Sequence, residues 1–214
     1  EIPVGELLKL SSGADILAPD PTNLGGFEKA KPVLTKIMES LPGLKGVCLS
    51  TTSFGWVDLD YCKKRNLPVS NVPGYSRESV AEHTLAMILN LAKKIFISER
   101  RTSRGKFKLE MGTELKGKTL GIIGLGNIGS RVAELGQGIG MKVVAYNRTP
   151  KTMDKVEMKT LDEVLQESDV ISINTTHETA NNNMISIKEL AKMKNGVLIV
   201  NTVDRENVDE KAMA

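Results

Sequence analysis

Residues 119–129 restrict the fold of this chain more than any other stretch: Thr-Leu-Gly-Ile-Ile-Gly-Leu-Gly-Asn-Ile-Gly. Residues 119–124 carry no charge and read as a strand buried on both faces. The strand ends on Gly124-Leu125-Gly126-Asn127-Ile128-Gly129, and residues 127–140 read as a helix. Alone, Gly-x-Gly-x-x-Gly is a weak pattern. Directly after a buried strand and at the opening of a helix it is a dinucleotide fingerprint. Gly124 allows the tight turn, Gly126 lets a pyrophosphate approach the backbone, and Gly129 lets the helix pack on the strand. The amides and dipole at the helix start favour phosphate. The plainer alternative is a glycine-rich turn without a ligand.

The rest of the chain repeats the alternation. After the fingerprint, residues 142–147, 169–174 and 196–201 read as strands, and residues 161–168 and 185–193 as helices; residues 206–214 begin another helix. Four near-continuous apolar strands separated by helices predict a doubly wound parallel sheet. Before it, residues 14–18, 45–50 and 68–71 read as strands, and 29–40 and 57–65 as helices. The fold class is therefore α/β, with two Rossmann-like domains at residues 1–75 and 76–214 divided at the breaker Pro73-Gly74-Tyr75-Ser76. Residues 79–94 form a long helix with Val80, Leu85, Ile88, Leu89 and Leu91 or Ala92 around most of its circumference. It is expected to be buried on nearly every side, between domains or subunits. The basic segment 98–114 reads either as a solvated connection or as an arm on a partner subunit.

Composition removes other classes. With 40% apolar and 26% charged residues among 214, the chain is neither disordered nor low in complexity. No apolar run nears the roughly 20 residues that span a bilayer. The 29 basic and 26 acidic residues are well mixed and aromatics are only 4%, which argues against nucleic acid as a partner. Two cysteines are too few for a disulfide scaffold and fit a reducing, cytoplasmic setting. Cys48 reads as a buried, inert strand residue, and Cys62 lacks a histidine partner. Asp58 and Asp60 read as helix N-terminal acids, and no metal site is expected. Of the two histidines, His83 reads as a hydrogen-bonded core residue, and His177 as a loop residue or a cofactor contact. The opening Glu-Ile-Pro reads as a chain that begins mid-protein.

The end of the second strand of the fingerprint domain bears on cofactor choice. An acid there usually bonds the adenosine ribose of NAD. This chain reads Tyr146-Asn147-Arg148-Thr149-Pro150-Lys151. A carboxylate would repel a 2′-phosphate, whereas a guanidinium and a hydroxyl would bind it. NADP is expected, with NAD possible.

Several motifs in order resemble the D-isomer-specific 2-hydroxyacid dehydrogenases. Phe54-Gly55-Trp56-Val57-Asp58-Leu59-Asp60 is similar to that family's Gly-aromatic loop before an acidic helix. Asn71-Val72-Pro73-Gly74 followed by Val80-Ala81-Glu82-His83-Thr84-Leu85 is similar to its inter-domain helix. Residues 112–121 lead into the fingerprint, and Met193-Lys194-Asn195-Gly196 with Asn201-Thr202 resembles a later strand. The resemblance implies a flavodoxin-like substrate domain beside a dinucleotide-binding domain, both incomplete here, and a homodimer. It implies hydride transfer between a nicotinamide and a small 2-keto or D-2-hydroxy acid such as glyoxylate or hydroxypyruvate. Phe54, Gly55 and Trp56 would form the substrate loop. Thr84 would face the nicotinamide side, residues 125–128 would cradle the pyrophosphate, and Asn147, Arg148 and Thr149 would surround the adenosine ribose. Thr175 and Thr176 match a Thr-Pro pair near the cofactor, with the proline replaced. Thr202 and Val203 would approach the nicotinamide ribose.

The family's arginine stands two residues after an Asn-Thr pair. Here Asp204 takes that place, and Arg205, one residue late, is the candidate to substitute for it. The family's proton-transferring glutamate and histidine lie further along than residue 214. A non-catalytic NAD(P)-binding module of the same fold and another Rossmann dehydrogenase are the alternative readings.

Overall fold

The computed structural model describes residues 2–175, 183–203 and 205–213. The chain divides into two compact units, Glu1–Tyr75 and Ser76–Ala214.

The first unit is a three-stranded parallel sheet with helices between its strands. Its elements are α1 (Val4–Leu10), β1 (Ile16–Leu17), α2 (Phe27–Glu39), β2 (Gly46–Cys48), α3 (Leu59–Lys64) and β3 (Val69–Ser70), with strand order β1-β2-β3. Register pairs Leu17 with Val47 and Val47 with Val69. Ala30, Leu34, Ile37 and Met38 recur at helical spacing on α2 and are buried. They pack with Val47, Leu49, Trp56 and Cys62 in one cluster. Asp58 caps α3, its Oδ1 accepting the Tyr61 N–H at 3.0 Å. The strands are shorter than the sequence predicts, and α1 is an addition. That helix has no fully buried residue, so its apolar pattern is faint; only Leu7 and Leu8 lean on the core. Cys48 is exposed rather than buried. Alternation along the strand turns Val47 and Leu49 into the core and Cys48 to the other face.

The second unit contains α4 (Arg77–Lys93), α5 (Ile95–Thr102), β4 (Thr119–Ile123), α6 (Asn127–Gly138), β5 (Lys142–Tyr146), β6 (Val156–Met158), α7 (Leu161–Glu167), β7 (Val170–Ile173), α8 (Ile187–Leu190), β8 (Leu198–Asn201) and α9 (Glu210–Met213). All strand pairs are parallel, in the order β6-β5-β4-β7-β8. Side chains of the sheet divide by parity. Leu120, Ile122, Val143, Ala145, Val170 and Val200 pack with Ala81, Ile88, Val132 and Ala133 of α4 and α6. Ile123, Val144, Ile171 and Ile173 pack with Val164 and Leu165 of α7. A sheet covered on both faces explains why its strands read as unbroken apolar runs.

Several expectations change here. The sheet has five strands rather than four: β6 is Val156-Glu157-Met158, with the glutamate exposed between half-buried neighbours, too short and polar to stand out. The helix expected over 185–193 contracts to α8, because Ile185 instead bridges Val208. The long helix α4 ends where Lys94 turns left-handed (φ 56°), and α5 starts at once, with the Phe96 N–H donating to the buried Asn90 Oδ1 at 2.9 Å. Burial on α4 runs along a stripe of Ala81, Thr84, Ile88 and Ala92, with Asn90 buried on the opposite side near the C-terminal end, and does not cover the whole circumference; Glu82 and Leu91 are exposed. His83 is exposed as well, so it is not the core residue expected. No helix among the described residues is long and apolar enough to cross a membrane.

Candidate functional site

The glycine turn between β4 and α6 is shaped by three different steric demands. Gly124 sits at φ 94°, and a Cβ there would lie 2.7 Å from the Asn174 carbonyl oxygen. A Cβ on Gly129 would lie 2.0 Å from the Gly124 carbonyl oxygen. Gly126, in contrast, is extended (φ −77°, ψ −160°), and a Cβ there would meet nothing within 4 Å. Gly124 and Gly129 are thus required by the protein's own packing. Gly126 leaves open space in front of α6, whose N-terminus has no side-chain cap. An uncapped helix start facing open space suits a phosphate, which the amides of the first turn would bind.

The strand ends on either side complete the turn. The Gly124 N–H donates to the Tyr146 carbonyl at 2.9 Å, and the Asn174 N–H to the Ile123 carbonyl at 2.7 Å. Leu125 buries its side chain fully, and its N–H donates to Asn147 Oδ1 at 2.9 Å. Asn147 Nδ2 donates to the Thr149 carbonyl at 2.7 Å. The carboxamide therefore uses both its acceptor and its donor on backbone, a pair of bonds a carboxylate could not make. Arg148 and Thr149 follow, exposed. Lys151, which the sequence marks only by proximity, reaches back to the turn and donates to the Leu125 carbonyl at 2.6 Å.

On the other side of the sheet centre, Thr84 of α4 is completely buried and its Oγ1 donates to the Val80 carbonyl at 2.8 Å. Thr202 Oγ1 lies 3.2 Å from Thr84 Oγ1. With the Thr84 hydrogen committed to Val80, Thr202 is the donor of that contact. Val203 donates its N–H to Asn201 Oδ1 at 3.1 Å, and Thr175 Oγ1 accepts from Asn207 Nδ2 at 2.9 Å. Asn207 is buried and was not singled out in sequence; only its contact with Thr175 reveals it. Arg205 is exposed and forms an ion pair with Glu210. Thr176, His177 and Asp204 lie outside the described residues.

In the first unit, the loop of Phe54, Gly55 and Trp56 is pinned at one end. The Trp56 indole is 4% exposed, donates to the Ser53 carbonyl at 3.0 Å, and meets Phe27 edge-to-face with ring centroids 6.2 Å apart. Its side chain thus belongs to the core, and the loop offers Phe54 and Gly55, both exposed, together with backbone. Thr52 and Asn71 tie the preceding segment down, Thr52 Oγ1 to the Val72 carbonyl and Asn71 Nδ2 to the Thr52 carbonyl. Burial, with the Asp58 carboxylate beside it, pushes the Cys62 thiol up against a smaller opposing effect of Arg65, so it is no nucleophile near neutrality.

A family profile described as "D-isomer specific 2-hydroxyacid dehydrogenase, NAD binding domain" matches residues 85–214. An aromatic 2-oxoacid reductase from Clostridium sporogenes is 35% identical over 98% of this chain and 62% of its own length. A hydroxypyruvate reductase from Thermotoga maritima is 35% identical over 97% of this chain and 66% of its own. The chain thus spans less than two thirds of these curated relatives. Among solved structures, D-lactate dehydrogenase from Aquifex aeolicus, complexed with NAD and lactic acid, superposes with a TM-score of 0.82 at 35% identity, covering 100% of this chain and 62% of that one.

Proposed function

The chain belongs to the D-isomer specific 2-hydroxyacid dehydrogenase family, and on that premise we propose that it serves an oxidoreductase that moves hydride between NADP and a small 2-keto or D-2-hydroxy acid, glyoxylate or hydroxypyruvate in particular. Residues 1–75 act as the substrate domain and residues 76–214 as the dinucleotide-binding domain. A bound nicotinamide cofactor supplies or accepts the hydride. The residues present suit that group: the open space at Gly126 and the uncapped start of α6 take the pyrophosphate, while Thr84, Thr175, Thr202 and Val203 line the nicotinamide half. Phe54, Gly55 and the backbone of Trp56 take the substrate carboxylate.

One observation carries the preference for NADP. At the end of β5 the residue that would select NAD as a carboxylate is Asn147, whose side chain is spent on Leu125 and Thr149. It offers a 2′-phosphate no repulsion, and Arg148 and Thr149 follow it. The test is NADPH oxidation by the intact protein with glyoxylate, hydroxypyruvate and pyruvate, with NADH in parallel. The Arg148→Asp variant is expected to lose NADPH affinity at least tenfold more than NADH affinity, the scale of one charge-assisted phosphate contact reversed in sign. Equal losses would remove the assignment.

A non-catalytic NAD(P)-binding module is the second reading, favoured by Asp204 at the family's arginine position and by the Arg205–Glu210 ion pair. Cofactor binding without turnover of any 2-keto acid would select it. The assembly we propose is a homodimer through α5 and the arm after it. Ile95, Phe96, Phe107, Leu109 and Met111 are all more than half exposed there. Glu110 pairs with Arg101 at 2.6 Å, and the Thr113 N–H donates to the Ala92 carbonyl at 2.7 Å, so the arm is laid along the helices in a set path.

A further inference from the structure

The formal charge of the whole chain is +3, yet residues 98–108 alone hold five basic residues and one acid, a net of +4. The other residues together therefore sum to −1. Ile97, Arg100, Arg101 and Arg104 recur at helical spacing along α5 and the turn that ends it, which puts them on one face. The turn then brings a further cation back. Gly105 is left-handed (φ 68°), the Lys106 N–H donates to the Arg101 carbonyl at 3.0 Å, and the Gly105 N–H donates to the Thr102 carbonyl at 2.9 Å. This pair of bonds is a Schellman motif, which reverses the chain against the last turn of the helix. The result is a concave site of about 260 Å³ lined by Ile97, Arg100, Arg101, Arg104 and Lys106. Arg101 is held by Glu110 at 2.6 Å, and the same carboxylate serves Lys108 at 3.7 Å. Arg100, Arg104 and Lys106 form no ion pair among the described residues. Elsewhere in this unit cations are matched by acids: Arg131 by Glu78 and Glu134, Lys159 by Glu157 and Glu167, Lys192 by Asp162. The helix end offers only about half an elementary charge in compensation, and Arg100 and Arg104, four residues apart, repel.

We propose that Arg100, Arg104 and Lys106 bind a small polyvalent anion, one that carries phosphate or clustered carboxylate oxygens, at a site separate from the glycine turn. No residue of that turn lines the cavity. Guanidinium forks match the paired oxygens of such an anion, and the ammonium of Lys106 adds a point charge. The ligand closes the imbalance that Glu110, already shared by Arg101 and Lys108, leaves open. Arg101 serves as a wall of the site, since Glu110 fixes its guanidinium. A nucleic acid would need a longer basic track than this cavity, and the rest of the chain carries a slight negative charge that would not extend one. Phe107, Leu109 and Met111, exposed in alternation with Lys106, Lys108 and Glu110, take no part in the site.

The test is calorimetric titration of citrate and of inorganic pyrophosphate into the intact protein at constant ionic strength, with NADPH in excess and acetate as the monovalent control. Citrate and pyrophosphate are expected to bind and acetate is not. The double variant Arg100→Gln, Arg104→Gln should weaken both probes about tenfold, and Lys106→Gln about threefold, the scale of exposed charge pairs taken together and singly. Thermal melts without the anion should match wild type for each variant, because all three side chains are exposed and a repulsion is relieved. Lys106→Gln leaves α5 intact and carries the test alone if the double variant melts early. Probe binding that the variants leave unchanged would place the anion elsewhere, at the glycine turn or the substrate loop, and overturn the proposal. So would the absence of binding by both probes at about 10 mM, the weak end of specific affinity. Heparin bound through the same residues and not displaced by citrate would assign the face to an acidic macromolecule and overturn the proposal too.

Discussion

Replacing the second and third glycines of the fingerprint by alanine, one at a time, separates what the fold needs from what the ligand needs. At Gly129 the new methyl would stand 2.0 Å from the Gly124 carbonyl oxygen and 3.2 Å from Ile122 Cγ2. The first distance is about 1.4 Å inside ordinary van der Waals contact, which begins near 3.4 Å. The obstacle is backbone, so no rotamer change relieves it and α6 must move away from β4. Overpacking costs about 1–3 kcal/mol and occasionally more; a backbone clash of this depth belongs near 3. For a unit of this size that lowers the melting midpoint by roughly 10 °C. At Gly126 the methyl meets nothing within 4 Å, and the extended backbone suits an L-residue. Gly126→Ala is therefore expected to melt within about 2 °C of wild type, or slightly above it, since alanine restricts the unfolded chain. The same methyl occupies the space left for a pyrophosphate, so cofactor affinity should fall more than tenfold, the scale of about 1.4 kcal/mol. Circular dichroism melts of the unliganded protein and calorimetric titration with NADPH read the two effects separately. A Gly129→Ala protein as stable as wild type, or a Gly126→Ala protein that binds NADPH normally, would refute the reasoning.

Two further outcomes follow from single side chains. Asn147→Asp keeps an acceptor for the Leu125 N–H, loses the donor to the Thr149 carbonyl, and brings a negative charge to the end of β5; NADPH should weaken about tenfold while NADH holds or improves, by titration of each. Asp169 is partly buried, which favours its neutral form, but the Thr119 N–H and the Lys194 and Lys118 ammonium groups outweigh that and hold its carboxyl below the usual value. A depressed folded pKa contributes stability above the unfolded value, near 3.9, that is lost as pH falls through the folded value. Asp169→Asn should therefore lower the melting midpoint at pH 7 by the equivalent of about 1 kcal/mol, and the gap to wild type should close as melts are taken to pH 3.

The strands of the second unit could be read from the sequence because burial on two faces leaves a strand no polar positions, as in Ile122-Ile123 or Val143-Val144. The glycine turn was legible for a similar reason: backbone contacts at Gly124 and Gly129 exclude every side chain, and that exclusion is written as glycine. Half-exposed elements left no such mark. Helix α1, strand β6 and the break at Lys94 depend on weak apolar contrast, or on one hydrogen bond from Phe96 to Asn90.

By itself, then, the sequence determined where burial is complete and where no side chain fits, because those demands act on each residue singly. Only the tertiary structure decided what depends on two distant residues meeting. His83 and Cys48 face outward because their helix and strand have one covered side. Trp56 turns its indole onto Phe27. Thr202 finds Thr84, 118 residues away in sequence. Lys151 and Asn147 close on Leu125 from a segment more than twenty residues downstream, a contact no local pattern encodes, since it exists only once β5 lies beside β4.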